Sequence, residues 1–402
     1  MLHFCLCANS AAIAALLYLT AVFLPTAECD RTYGNHDVMN EAIARGKADL
    51  EEWRGRGSSK RACLCATFLS TDHVSFQTTL TNARVLKCDW AVIFYDMSDM
   101  PRKTTFCRQL GEVANVVYCE GAMVRYKASI YKRLHLTPEH IYNYSALRTL
   151  DATAEMTTVP KQAMYLDLLP LLPGYHRVVL IDSDMLFSDL KFDHAMRIWD
   201  CSFHPPPLIV HIAVVGKTLC REHRARWWRK VGNWTGTTST ELLLAAQITF
   251  IEQQAPFIHA GFFYWFLKSV LRKYTIVHHL ETRNGWGTDS IWCGAARAFG
   301  RYVLGHENYS WPCAVITGAG PVHHESTMTI NKSLEFRTSG VQMLHFHRPI
   351  FNRWCLNASN LNALIPSFRF SVCNYVVKKN LKAFSLIENC SEIGKELGME
   401  LL

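Results

Sequence analysis

Asp182 and Asp184 are the pair in this 402-residue chain best suited by type and spacing to do chemistry. They close the stretch His176-Arg-Val-Val-Leu-Ile-Asp-Ser-Asp-Met-Leu-Phe187, whose apolar run from Val178 to Ile181 has the texture of a buried parallel strand. Carboxylates at the end of such a strand stand outside the core. In open α/β sheets, ligands bind beyond the carboxyl ends of the strands, so both acids would face a crevice and repel unless a cation lay between them. Carboxylate oxygens suit hard divalent ions, Mn²⁺ or Mg²⁺, which are commonly shared with substrate phosphates. The bland alternative is a solvated turn after a strand. A calcium loop is excluded, because the run continues into Met185, Leu186 and Phe187 instead of further oxygen ligands and a glycine. An aspartyl-phosphate phosphatase would place the motif on its first strand, whereas here it lies mid-chain.

A second polar cluster follows at Gly285-Trp286-Gly287-Thr288-Asp289. The glycines let the backbone approach a ligand, the Trp286 indole can stack on a sugar ring, and Asp289 gains from the dipole of the helix it starts. As a bare N-cap, Asp289 would need no ligand. Val315 to Val322 reads as a strand, and His323-His324-Glu325 behind it offers imidazoles that are either structural or metal-binding. His345 and His347 alternate on a further strand pattern.

The elements that must position these residues alternate in period. Strands are expected at Ala62–Leu69, Trp90–Tyr95 and Val113–Cys119, with a helix over Asp72–Leu86, which makes βαβ units and a parallel sheet. A helix spans Phe192–Trp199, and a strand follows the proline run at 205–207 as far as Val215. Leu242–Ile251 reads as a helix or a buried strand. Phe257–Leu267 is a core strand running into a helix to Tyr274, its aromatics spent on packing.

The segment from Lys161 to Asp184, a helix, a turn, a strand and then Asp-x-Asp, resembles the centre of the GT-A class of nucleotide-sugar glycosyltransferases. Ile251–Phe257, Gly285–Cys293 and Pro321–His324 resemble a little-characterised eukaryotic family of unknown function related to that class. The resemblance spans residues 61–345. It implies an α/β, GT-A (Rossmann-like) fold with a mixed, mainly parallel sheet flanked by helices in a single catalytic domain. It further implies that Thr67, Ser70 and Asp96 hold the nucleotide, and that Lys161, Asp182 and Ser183 meet the rest of the donor. Asp182 and Asp184 would bind Mn²⁺ or Mg²⁺, with His323 or His324 completing the set. Trp286 and Gly287 would hold the acceptor and Asp289 would act as general base. The alternatives are a cap or turn role for Thr67, Ser70 and Asp96, and an exposed helix lysine for Lys161.

Composition sets the outer limits. With 49% hydrophobic and 19% charged residues, the chain is globular and not disordered. Its net charge of +8 suits an anionic ligand or merely an ordinary basic surface, and no basic tract with interleaved aromatics argues for nucleic acid. Arg224–Lys230, the most basic patch, reads as a surface helix or loop before a phosphate or membrane contact. Residues 1–27 carry no charged side chain and suit a signal peptide or a single-span signal anchor. Either delivers the chain to the secretory lumen, as a Golgi type II membrane protein if the segment is retained and as a secreted one if it is cleaved.

Residues 28–60 read as a stem and linker, ending in a Gly/Ser/Arg run, and 346–402 as a disulfide-tied extension. Sequons at Asn143, Asn233, Asn308, Asn331, Asn357 and Asn389 agree with the lumen, as do 13 of the 15 cysteines lying after residue 27 without C-x-x-C spacing. The reading that joins these features is a metal-dependent transfer of a sugar from a UDP- or GDP-linked donor to a hydroxyl of a glycan or glycoprotein. A carboxylate-dependent hydrolase, phosphatase or glycosidase, and a non-catalytic secreted carbohydrate-binding protein are the alternatives.

Overall fold

The computed structural model describes residues 36–56, 60–69, 73–94, 99–121, 161–201, 203, 205–216, 218, 223–226, 245–248, 250–275, 288–307, 309, 312–325 and 375–377. The first half alternates as its periodicity requires: helix α1 (His36–Gly55), strand β1 (Arg61–Leu69), α2 (His73–Val85), β2 (Asp89–Phe94), α3 (Met100–Val113) and β3 (Val116–Gly121). The short α4 (Lys161–Met164) then leads through two 3-10 turns into β4 (Tyr175–Ile181) and β5 (Met185–Leu186). Next come α5 (Phe192–Cys201), β6 (Ile209–Ile212), β7 (Val214–Val215), β8 (Ala245–Ile248) and β9 (Pro256–His259). Helix α6 (Ala260–Trp265) runs on as a π-helical segment, Phe266–Thr275. The last elements are α7 (Thr288–Ala298), β10 (Cys313–Ile316), β11 (Val322–His324) and β12 (Tyr375–Val377).

Nine strands make one sheet in the order β12-β8-β10-β6-β9-β4-β1-β2-β3. The β4-β1-β2-β3 half is parallel, as is β6 with β10. β9 runs antiparallel between β4 and β6, and β8 runs antiparallel to β10 and β12. The ladders divide equally, yet seven of the nine strands run in one direction and only β8 and β9 are reversed, so the sheet is mixed and mainly parallel.

Successive side chains of a strand point to opposite faces, and the core divides accordingly. Leu64, Ala66, Phe68, Val178 and Leu180 pack with α1 and α6 on one face. Cys63, Cys65, Val179 and Ile181 pack with Phe76, Phe106 and Trp199 on the other. The aromatics of Phe257–Leu267 are buried, Phe257, Phe262, Phe263 and Phe266 at 0% exposure, which makes them packing residues.

Residues 28–60, expected as a stem, contain α1, and α1 is part of this body. Trp53 is 2% exposed and its indole donates to the Leu172 carbonyl at 3.1 Å. Asp49 and Glu52 both pair with Lys268, at 2.7 and 2.6 Å. Pairs of described cysteines form disulfides that tie neighbouring elements, Cys63–Cys88, Cys107–Cys119 and Cys293–Cys313, while Cys65 is a buried free thiol. The apolar start, the six sequons, His345 and His347 lie outside the described residues, as does the 346–402 extension apart from β12. No helix among the described residues is long and apolar enough to cross a membrane.

Candidate active site

The acids of the Asp182-Ser-Asp184 turn stand where β4 leaves the large sheet. The Met185 amide donates to the Asp182 carbonyl at 3.0 Å, closing a four-residue turn that holds both carboxylates and the half-buried Ser183 at the strand's end. Thr67 braces the strand end. It is 1% exposed and its hydroxyl donates to the Ile181 carbonyl at 3.1 Å, bracing the last residue of β4 from β1.

Beyond the turn, β5 joins a small second sheet in the order β5-β11-β7. Asn82 of α2, 1% exposed, clamps β5: its amide donates to the Met185 carbonyl at 2.7 Å and accepts from the Phe187 amide at 2.9 Å. The pairing of β11 with β5 sets His324 opposite Met185, and Nε2 of His324 lies 3.0 Å from Oδ2 of Asp184. The Glu325 amide donates to the Asp184 carbonyl at 3.0 Å, a second tie between turn and strand. Gly216, with φ of 128°, lies under β11. A Cβ there would meet the His324 carbonyl oxygen at 2.7 Å, so only glycine lets β11 sit this close. His323 takes the other side of β11, as strand periodicity requires, and pairs with the exposed Asp189 at 2.7 Å, away from Asp184.

Lys161 reaches Asp182 from α4 and also donates to the Gln253 carbonyl at 3.2 Å. With its side chain 20% exposed, it is neither the exposed helix lysine nor a free cation. Burial acts to lower its pKa, but the Asp182 carboxylate outweighs burial and holds it above the usual lysine range. Tyr165, one turn on, is 0% exposed with its hydroxyl facing Lys161, and burial pushes that phenol up.

Four consecutive residues, Ile251-Glu-Gln-Gln254, strap the site together. The Ile251 carbonyl accepts from the Trp292 indole of α7 at 2.9 Å. Glu252, 2% exposed, pairs with Nδ1 of the wholly buried His223 at 2.8 Å, and Nε2 of His223 lies 3.0 Å from the Phe250 carbonyl. His223 stacks on His211 at 4.9 Å, and burial lowers the His211 pKa to about 3, so that ring is neutral at any physiological pH. Gln253 accepts from Lys161 through its carbonyl and hydrogen-bonds Asp289 through its side chain. The Gln254 carbonyl accepts from the Asp182 amide at 2.8 Å, and its side-chain Nε2 lies 3.4 Å from Nδ1 of His324.

Asp289, in the first turn of α7, is reached from this strap. Burial raises its pKa and the Glu252 charge adds to that, with the Gln253 hydrogen bond and Lys161 opposing, to give about 7. An acid poised there exchanges a proton near neutral pH, which suits a general base. The structure thus connects Lys161, Asp182, Asp184, His324 and Asp289 through one strap. Ser70, Asp96, Trp286 and Gly287 lie outside the described residues. Asn82 was not singled out from the sequence, and Tyr165, Glu252, Gln253 and Gln254 stood out only as parts of the segments that carry the resemblance, without a role of their own. The Gln-Gln pair directly before a strand was the available signal.

No three His, Cys, Asp or Glu side chains among the described residues are grouped to hold a metal ion. Asp184 and His324 are a hydrogen-bonded pair whose spacing also matches two neighbouring ligands. Neighbouring ligands on an octahedral ion with bonds of about 2.1 Å stand about 3.0 Å apart, and Asp184 Oδ2 and His324 Nε2 are separated by 3.0 Å. One or two protein ligands with substrate phosphates supplying more is the usual arrangement for Mg²⁺. Asp182, committed to Lys161, is the outer member of the pair. Compared with protein-family models and with curated proteins, the sequence matches none.

Proposed function

We propose that this protein is a GT-A-type glycosyltransferase of the secretory lumen, moving a sugar from a nucleotide-sugar donor to a hydroxyl of a glycan or glycoprotein. The observation that carries the reading is the joining, by the Ile251–Gln254 strap, of an acid poised at about pH 7 to an Asp-x-Asp turn at the end of β4.

Asp184 and His324 would hold Mn²⁺ or Mg²⁺, which when bound supplies positive charge to the departing diphosphate. Lys161 keeps its proton and fixes Asp182, so the turn is pre-set before any ligand arrives. Asp289 accepts the proton of the acceptor hydroxyl at its carboxylate as the new bond forms at the sugar's anomeric carbon. Gln253 hydrogen-bonds that carboxylate. Direct attack of this kind inverts the anomeric centre. The disulfides Cys63–Cys88, Cys107–Cys119 and Cys293–Cys313 suit an oxidising compartment.

The test is a melting-temperature screen of the full chain against nucleotide sugars with and without Mn²⁺, followed by donor-hydrolysis assays. A donor that raises the melting temperature only with Mn²⁺, and is slowly hydrolysed by the wild type but not by Asp184→Asn, is the expected result. Phosphate release from monoesters, or no response to any nucleotide sugar, refutes the reading.

A further inference from the structure

His324 touches the site through one ring nitrogen and the Ile251–Gln254 strap through the other. Nε2 faces Oδ2 of Asp184 at 3.0 Å, and Nδ1 faces Nε2 of Gln254 at 3.4 Å. The contacts on the two sides of the ring constrain each other. Asp184 is acceptor-only when ionised, so the proton of a neutral imidazole sits on Nε2 and leaves Nδ1 a lone pair, to which the Gln254 NH₂ group donates. A metal on Nε2 reverses the ring. The proton must then be on Nδ1, and it needs an acceptor where an NH₂ group now stands.

Gln254 has that acceptor ready. Its Oε1 is buried and finds no hydrogen-bond partner among the described residues. A half-turn of the terminal amide carries this oxygen to Nδ1, with the rest of the side chain in place. The backbone of Gln254 does not have to follow, because its carbonyl is held by the Asp182 amide at 2.8 Å. Gly216 lets the β11 backbone at His324 sit close, a built Cβ there meeting the His324 carbonyl oxygen at 2.7 Å.

Resting on the reading of Asp184 and His324 as a divalent-ion pair, we infer that Gln254 is the positioning residue for that ion. Its amide donates to Nδ1 of the empty ring and, turned over, accepts from Nδ1–H of the loaded one. An amide serves both states. A carboxylate serves only the loaded state, and an aliphatic side chain serves neither. Gln254 also belongs to the strap that carries Gln253, so ion binding at His324 and the setting of Asp289 share one backbone.

The experiment measures Mn²⁺ binding to the full chain by the loss of the free-ion electron paramagnetic resonance signal, for wild type, Gln254→Leu and Gln254→Glu. Melting temperatures are recorded without the ion. Gln254→Leu is expected to weaken Mn²⁺ binding by about 10–100-fold, the usual effect of removing a partner of a ligating histidine. Gln254→Glu is expected to bind within about threefold of wild type or tighter, because a carboxylate on Nδ1–H raises the basicity of Nε2. If wild type binds and Gln254→Leu binds equally well, the inference falls while the proposed ion site stands. If both variants weaken binding alike, Gln254 supplies only packing, and the inference again falls. If wild type holds no Mn²⁺, the ion site and the inference fall together. Should Gln254→Leu melt early without the ion, Gln254→Glu decides alone, a loss beyond tenfold overturning the role.

Discussion

Replacing Asn82 with alanine tests whether the Asp182-Ser-Asp184 turn is held from behind by α2. Asn82 is 1% exposed, and its side chain makes two bonds to β5: a donation to the Met185 carbonyl at 2.7 Å and an acceptance from the Phe187 amide at 2.9 Å. Alanine leaves one buried carbonyl and one buried amide without this partner, each at a cost of about 1–3 kcal/mol, while the lost side-chain volume is small and polar. Partial relaxation of the short β5 recovers some of that, so the expected loss is about 2–4 kcal/mol. Urea unfolding followed by fluorescence gives the figure from the midpoint shift at unchanged slope. The same variant should bind Mn²⁺ more weakly, since Asp184 and the partner strand of His324 lose their shared anchor. Asn82→Asp separates the two bonds, because it keeps the acceptor for Phe187 and removes the donor to Met185. A loss under about 0.5 kcal/mol for Asn82→Ala would refute the argument, showing that water or β5 itself satisfies the freed groups.

Sugar transfer should rise with pH through about 7, because Asp289 must be ionised to take a proton, and Asp289→Asn should lower the rate by about 10²–10⁴-fold and abolish that limb. The folded-state pKa of Asp289 is raised, so the wild type loses stability as pH climbs from the unfolded value toward 7. The melting temperature of Asp289→Asn should therefore gain on wild type across that window, and an unchanged difference between pH 4 and 8 would count against the assignment. Glu252→Gln removes the neighbouring negative charge and should move the rate limb to lower pH, read from the same profile. Lys161→Met leaves Asp182 without its cation and should cost about 1–3 kcal/mol at pH 8 and less at pH 5, where Asp182 can take a proton; equal losses in calorimetry at both pH values would refute the pairing. Gly216→Ala should lower both the melting temperature and the Mn²⁺ affinity, since its Cβ displaces the His324 carbonyl.

Where local pattern decides structure, the sequence was readable. The Val178–Ile181 run is the buried end of β4, and Phe257–Leu267 is a strand passing into a helix, because both patterns are dictated by burial along one short segment. Leu242–Ile251 was ambiguous between helix and strand. Within it Ala245–Ile248 is β8, fixed by antiparallel partners on both sides that no local pattern names. The amphipathic pattern of α1 is weak because its buried side carries Asp49 beside Leu50 and Trp53, and Asp49 is satisfied by Lys268 from far along the chain. At the site, the types and spacing of Asp182, Asp184, His324 and Asp289 were legible. The commitment of Asp182 to Lys161, the divergence of His323 from His324, and the tying role of Ile251–Gln254 were not, since each depends on pairing between distant segments.

The position of β9 has a consequence for biosynthesis. β4 pairs on one side with β1, made earlier, but its other edge stays open until Pro256–His259 has emerged and slotted in. During translation, an apolar strand therefore waits with bare amides and carbonyls while the intervening chain is still being made, a template for pairing with the wrong molecule. Chaperone dependence should accordingly concentrate in that interval, and nascent chains truncated just before β9 should be far more aggregation-prone than those ending just after α6.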